Sequence, residues 1–177
     1  SVSLVSGVVN LTPPIDAEFS EVETAAQMFD AVIAKAPTHD IYIGAAAVAD
    51  YTPVQVNTQK IKKQGQENIL HLQKTQDILA EVALLTDRPF GVGFAAETDD
   101  LEGYARGKLT RKNLDMIAAN WVGREQGGFE NNDNALQVFW HNGQKNLPMT
   151  TKKQLATQLI ALIVERMNEK NSIKNTG

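Results

Sequence analysis

Val2-Ser3-Leu4-Val5-Ser6 alternates apolar with small polar positions and stops at Gly7, a pattern that predicts a short strand. The stretch Gly7 to Ser20 holds Asn10-Leu11-Thr12-Pro13-Pro14, where adjacent prolines fix φ and exclude helix, so it reads as a loop. Apolar residues then recur at Ala25, Met28, Phe29, Val32 and Ala36, the spacing of one helix face. Thr24 and Gln27 supply a Thr-x-x-Gln capping box in front of them, with Ser20 and Glu23 as a rival cap. Behind Asp40, Ile41 to Val48 is a continuous apolar run, the form of a strand covered on both faces. Its Gly44-Ala45-Ala46-Ala47 carries almost no side chain, which predicts that something packs closely against that backbone.

Residues Pro53 to Gln66 are polar and basic around Lys60-Ile61-Lys62-Lys63, and Ile69-Leu70-His71-Leu72 reads as a strand, so the segment fits a lid-like hairpin. Thr75 can cap a helix carrying Ile78, Leu79, Val82 and Leu85, which Arg88-Pro89 ends. The clearest βαβ unit follows: a strand from Phe90 to Ala96, a helix from about Asp100 to Lys112, and a strand from Leu114 to Ala119. Such a crossover is right-handed, pairs its strands in parallel and places ligands outside their carboxyl ends, here Ala49-Asp50, Ala96-Glu97-Thr98 and Asn120. Gly123 to Asn134 is Gly- and Asn-rich and reads as a loop. Ala135 to Trp140 and Lys145 to Leu147 flank Asn142-Gly143, a type I′ hairpin signal. A last helix from Thr151 to about Glu169 carries Leu155, Leu159, Leu162, Ile163 and Arg166 on one stripe, and the polar tail Lys170 to Gly177 reads as frayed.

Composition narrows the chemistry. The 177 residues are 42% hydrophobic and 21% charged, ordinary for one soluble α/β domain, and with no cysteine the chain can do no thiol chemistry and form no disulfide. No run approaches the ~20 apolar residues that span a bilayer, and Ser1-Val2-Ser3-Leu4 is no signal peptide, which points to the cytoplasm and to no membrane partner. A net charge of −4 argues against generic nucleic-acid binding. His39, His71 and His141 lie far apart without metal-ligand spacing and read as surface residues. Gly103-Tyr104-Ala105-Arg106-Gly107-Lys108 has the wrong spacing for a P-loop and lies within a helix. The informative cations are Lys60, Lys62 and Lys63 on one loop, Lys74 before a helix, and Lys108, Arg111 and Lys112 on another helix. Lys108 and Lys112 are i, i+4 neighbours, a mildly repulsive pair unless an anion bridges them. A solvated face explains each group alone; convergence at strand ends would instead suit a polyphosphate. Asp50 suits a turn, a ribose hydroxyl or Mg²⁺, and Phe94 suits either the core or a base. The residues alone therefore reach an α/β protein with a nucleotide or phosphate site and no defined reaction.

In four ordered blocks the chain resembles bacterial phosphopantothenate cysteine ligase: Gly44 to Tyr51, Lys60 to Lys63, Gly93 to Thr98, and Lys112 to Asp115. The likeness runs from Val2 to about Lys170 and implies a Rossmann-like, mainly parallel sheet flanked by helices, with a β-hairpin flap. It implies residues 1–170 as the synthetase domain lacking its first βα unit, with 171–177 as a polar tail. In that family the domain is usually the C-terminal half of a bifunctional flavoprotein, so FMN would belong only to an N-terminal decarboxylase domain.

The resemblance also implies CTP-dependent amide formation between 4′-phosphopantothenate and L-cysteine through an acyl-cytidylate, with Mg²⁺ on the triphosphate, in a homodimer. It carries nucleotide contacts onto Gly44, Ala45, Ala46, Asp50, Lys60, Lys74, Thr75, Gln76, Asp77, Phe94, Lys108 and Lys112. Lys60 would act on the reacting phosphoryl and acyl groups from a mobile flap, and Asn120 would touch substrate. The sequence departs from the family in three places: Gln76 stands for the usual Pro, Trp121 for Asp, and Val8 for Pro. The family's opening Ser-Asn-x-Ser-Ser-Gly motif, whose Asn handles the acyl-cytidylate, lies before its second strand, where Ser1 falls. Two competing readings are a non-catalytic nucleotide-binding or assembly module and a nicotinamide-dependent oxidoreductase. The latter lacks a Gly-x-Gly-x-x-Gly turn between a strand and a helix.

Overall fold

The computed structural model describes residues 1–57, 59, 60, 62, 69–121 and 133–174. Strands β1 (Val2–Ser6) and β2 (Ala17–Glu21) pair in parallel. The second of these overlaps the end of the stretch expected to be a loop, and Phe19 is its one large apolar residue, too few for an apolar periodicity. Helix α1 (Ala25–Lys35) begins at the expected Thr24 capping box, with both reciprocal hydrogen bonds made.

Strand β3 (Ile41–Gly44) opens a five-stranded sheet ordered β3-β6-β7-β8-β9, with β6 Phe90–Glu97, β7 Met116–Trp121, β8 Asp133–Trp140 and β9 Gly143–Thr151. The pairs β3–β6 and β6–β7 are parallel, and β8 and β9 continue the sheet antiparallel. The fold is thus the expected α/β, Rossmann-like one, its parallel strands flanked by helices. The apolar run Ile41 to Val48 is not a strand covered on both faces. Among the described residues β3 lies at the sheet edge, Ile43 is 37% exposed, and Ala45 to Ala47 leave the sheet and are exposed.

Strands β4 (Tyr51–Pro53) and β5 (Leu72–Lys74) pair antiparallel at the base of the basic segment, as a hairpin requires. The second strand is displaced from Ile69–Leu72 to Leu72–Lys74, where Leu72 pairs with Pro53, Gln73 with Thr52 and Lys74 with Tyr51. Thr58, Ile61 and residues 63–68, 122–132 and 175–177 lie outside the described residues, and with them most of the stretch Gly123 to Asn134 expected to be a loop, whose last two residues, Asp133 and Asn134, belong to β8. Helix α2 (Ile78–Leu84) is capped by Asp77, which accepts from Ala80 N–H at 3.2 Å, rather than by Thr75. It ends at Leu84, ahead of Arg88-Pro89. Asp100 caps α3 (Leu101–Arg111). The β8–β9 turn is His141-Asn142; neither residue has a positive φ, so it is not the expected type I′. β9 runs past Pro148, which falls opposite the irregularity at Asn134/Leu136, where a missing N–H costs no regular ladder bond. Helix α4 (Lys152–Lys174) continues beyond Glu169 through most of the tail expected to fray.

Alternating sheet residues divide the core. Phe90, Val92, Met116, Ala118 and Val138 pack with Leu155, Leu159, Leu162 and Ile163 of α4. Ala95, Ile117, Ala119 and Phe139 pack on the other face with Leu101, Ala105 and Leu109 of α3. A third cluster joins Val32 and Ala36 to Ile78 and Val82, uniting α1 and α2. Gly93 lets the buried Leu114 sit against β6: a Cβ there would lie 2.7 Å from Leu114 Cδ1. Gly93→Ala should therefore cost about 1–3 kcal/mol by overpacking. Urea denaturation measures this, and an unchanged midpoint would show that Leu114 repacks freely.

Candidate functional site

A cavity of about 450 Å³ opens at the carboxyl end of β3. Its floor is Gly44 and Ala46, and the turn Lys74-Thr75-Gln76-Asp77 forms one side with Asp50 beside it. Lys108, from the last turn of α3, and Lys112, its C-cap residue, close another side. Two bonds fasten the first two segments together: Thr75 Oγ1 donates to Ala49 O at 2.7 Å, and Thr75 N–H to Asp50 O at 3.0 Å. Gly44 leaves room where a side chain would collide, since a Cβ would lie 2.8 Å from Leu79 Cδ2 and 3.2 Å from the Tyr42 hydroxyl. The close packing expected around the small-residue run is thus Leu79 against Gly44.

The two α3 lysines each have a protein partner, so their i, i+4 spacing needs no bridging anion. Lys108 Nζ donates to Phe94 O at 2.7 Å, and Lys112 pairs with Asp77. Burial lowers the Lys108 ammonium pKa, and the nearby Lys112 charge lowers it further. Burial alone would raise the Asp77 carboxyl, but the Lys112 hydrogen bond and the Ala80 N–H outweigh it, leaving the value lowered. Burial pushes the Tyr42 phenol up to about 12, with Asp77 adding to the shift. The result is a cation-rich pocket in which Lys74, Lys108 and Lys112 oppose two carboxylates.

The remaining sequence-derived candidates lie elsewhere. Ala45 is on the same loop but does not line the cavity, and Lys60 and Lys62 are exposed on the segment between β4 and β5. The Phe94 side chain packs against the α4 side of the sheet, while its carbonyl holds Lys108. Asn120 lies opposite Ala96 in the β6–β7 ladder. Met28, Tyr42, Val48, Tyr51, Ile78 and Leu79 line the cavity without having been singled out for it. Tyr42, two residues before Gly44 on one strand, shares that residue's face, but its spacing does not separate it from core. The others carry ordinary core spacing, which several of them also satisfy.

Among the described residues, no group of three or more His, Cys, Asp or Glu side chains could hold a metal. That donor set does not make a dedicated metal centre; it fits Mg²⁺ carried mainly by phosphate oxygens and water, with Asp50 as the carboxylate at hand. His39 is not a simple surface residue. Its Nδ1 lies 2.8 Å from Lys35 O and its Nε2 3.0 Å from Ser3 Oγ, a structural link between α1 and β1. No described helix is long and apolar enough to cross a membrane.

The family described as DNA/pantothenate metabolism flavoprotein C-terminal domain matches residues 1–167. The chain is 51% identical over 169 residues to the coenzyme A biosynthesis bifunctional protein CoaBC of Vibrio cholerae, covering 94% of this chain and 42% of that protein. Against the Escherichia coli protein of the same name it is 47% identical over 175 residues, covering 97% and 43%. The chain thus spans about two fifths of these relatives' length. The solved C-terminal domain of CoaBC superposes with a TM-score of 0.76 at 34% identity, over 96% of this chain and 75% of that one. A Cab2 mutant in complex with phosphopantothenate-cysteine shares the fold at a TM-score of 0.69 and 16% identity, over 90% and 55%. A match over nearly the whole length, and a fold shared with the solved domain, place this chain in the DNA/pantothenate metabolism flavoprotein C-terminal domain family.

Proposed function

We propose that this chain is the ligase part of a coenzyme A biosynthesis protein and joins 4′-phosphopantothenate to L-cysteine at the expense of CTP. The observation that carries the reading is the cavity at the carboxyl end of β3, where Lys74, Lys108 and Lys112 converge beside a small-residue floor. A carboxylate acylates poorly until its oxygen becomes part of a good leaving group. In the proposed first step the phosphopantothenate carboxylate attacks the α-phosphorus of CTP and pyrophosphate leaves, giving the acyl-cytidylate. The cysteine amine then attacks the acyl carbon, loses a proton, and CMP leaves.

Three lysines supply the point charges that a triphosphate requires, and the small residues Gly44 and Ala46 line the cavity beside them. The lowered Asp77 carboxyl stays ionised and holds Lys112 in place at neutral pH. Mg²⁺, when bound, would neutralise phosphate charge, and Asp50 is the residue placed to hold it. Ala45, Thr75, Gln76, Phe94 and Lys60 complete the proposed nucleotide contacts, with Lys60 catalytic, and Asn120 touches substrate.

A homodimer belongs to the same proposal, supported by the exposed apolar Val54, Val56, Ile69 and Leu70 on the β4–β5 segment. So do a fused FMN-dependent decarboxylase, supported by the bifunctional name of the relatives, and a cytoplasmic location. Residues 1–170 are taken as the synthetase domain. The test supplies the full-length protein that carries this chain with CTP, Mg²⁺, cysteine and 4′-phosphopantothenate. CMP and pyrophosphate should appear in equal amounts with the amide product, and a reaction indifferent to CTP would sink the proposal.

A further inference from the structure

The cavity has two kinds of wall. Its cations come from two segments, Lys74 from one and Lys108 and Lys112 from another, whereas Met28, Val48 and Ile78, packed in one cluster, are its apolar lining. Tyr42 belongs to the apolar side, its ring packed in the α1–α2 cluster with Met28, Val48 and Ile78. The hydroxyl is carried along β3 toward the strand's carboxyl end and sits over Gly44, 3.2 Å from where a Cβ would be. A larger residue at position 44 would fill the space that the hydroxyl uses.

The Tyr42 ring is partly buried and its hydroxyl is open to the cavity, where a tyrosine hydroxyl ordinarily finds a hydrogen-bond partner. This one has none among the described residues, yet it reaches the cavity. The nearby Asp77 carboxylate is engaged by Lys112 and Ala80 N–H. The phenol also remains protonated throughout the physiological range. It is therefore a neutral donor on an apolar wall, facing a cavity whose cations lie on other segments.

Resting on the nucleotide reading above, we infer that Tyr42 is a nucleoside-binding residue: its hydroxyl donates to an acceptor on the base or ribose, with the apolar wall against the base and the lysines on the phosphates. Neither the small-residue run nor the lysine motifs account for such a group. It would set preference for the nucleoside, not for phosphate.

Tyr42→Phe removes the hydroxyl and keeps the ring that packs in the core. Calorimetry on the full-length protein should show CTP bound about three- to tenfold more weakly by the variant, the worth of one neutral hydrogen bond. Inorganic tripolyphosphate should bind wild type and variant alike, and the thermal midpoint should stay put. An unchanged affinity for CTP, or an equal loss for CTP and tripolyphosphate, would overturn the inference while leaving the nucleotide site standing. A wild-type protein that binds no CTP would overturn both readings.

Discussion

Replacing Lys60 with glutamine should lower turnover by about 10²–10³-fold, the usual cost of losing one group that stabilises charge in the transition state. Lys60 lies exposed between β4 and β5, outside the three core clusters, so the same change should leave stability within about 0.5 kcal/mol. Glutamine keeps a hydrogen-bonding side chain but removes the point charge, so the comparison isolates the charge. In the proposed role that charge meets the reacting phosphoryl and acyl oxygens as they gain negative character. The loss should therefore fall on kcat, with the affinity for CTP changed far less, because Lys74, Lys108 and Lys112 line the cavity independently of Lys60. Steady-state kinetics and CTP calorimetry on one preparation would separate the two. Unchanged turnover would remove Lys60 from the mechanism, whereas loss confined to CTP affinity would make it a binding residue only.

Much of this molecule could be read from sequence because local signals and tertiary packing agree. Thr24 and Gln27 make a capping box whose two bonds both form, and the βαβ unit of β6, α3 and β7 falls where strand and helix periodicities change. Reading failed where a residue's partner is remote. β2 is held by pairing with β1, not by an apolar pattern, and Ile41 to Val48 looks like an interior strand although β3 pairs with β6 alone among the described residues. At the candidate site, basic residues and small residues are conspicuous in sequence, so Lys108, Lys112, Gly44 and Ala46 were legible. Tyr42 was hidden by its spacing, since a tyrosine in a strand reads as core until its hydroxyl is seen above a glycine. Thr75 was misread for a similar reason: it resembles a helix cap, but Asp77 takes that role and Thr75 instead ties two distant loops.

Asp115 should be the most costly carboxylate to remove from the fold. It begins the crossover into β7, its side chain only 8% exposed, and Arg88 grips both oxygens at 2.8 and 3.2 Å. Gly91 N–H adds a bond at 2.9 Å, and Lys170 of α4 pairs with the same carboxylate while lying 5.7 Å from the Phe90 ring centre. This single group thereby fastens the far end of α4 to the amino-terminal ends of β6 and β7. Burial by itself would raise the Asp115 carboxyl, but the bonds from Arg88, Lys170 and Gly91 overcome that and hold it below the ordinary value. Asp115→Asn should cost about 2–4 kcal/mol, toward the low end for breaking a buried pair because Arg88 and Lys170 keep part of their hydration. The sign of the pH dependence follows from the lowered value. The unfolded chain binds the proton more readily, so the stabilisation is complete above about pH 5 and is lost as pH falls from about 4 through the folded value. Urea denaturation of wild type and Asp115→Asn should accordingly show a gap at pH 7 that narrows steadily toward pH 3. A gap that stays constant over that range would mean that shape, and not the charge of Asp115, carries its contribution.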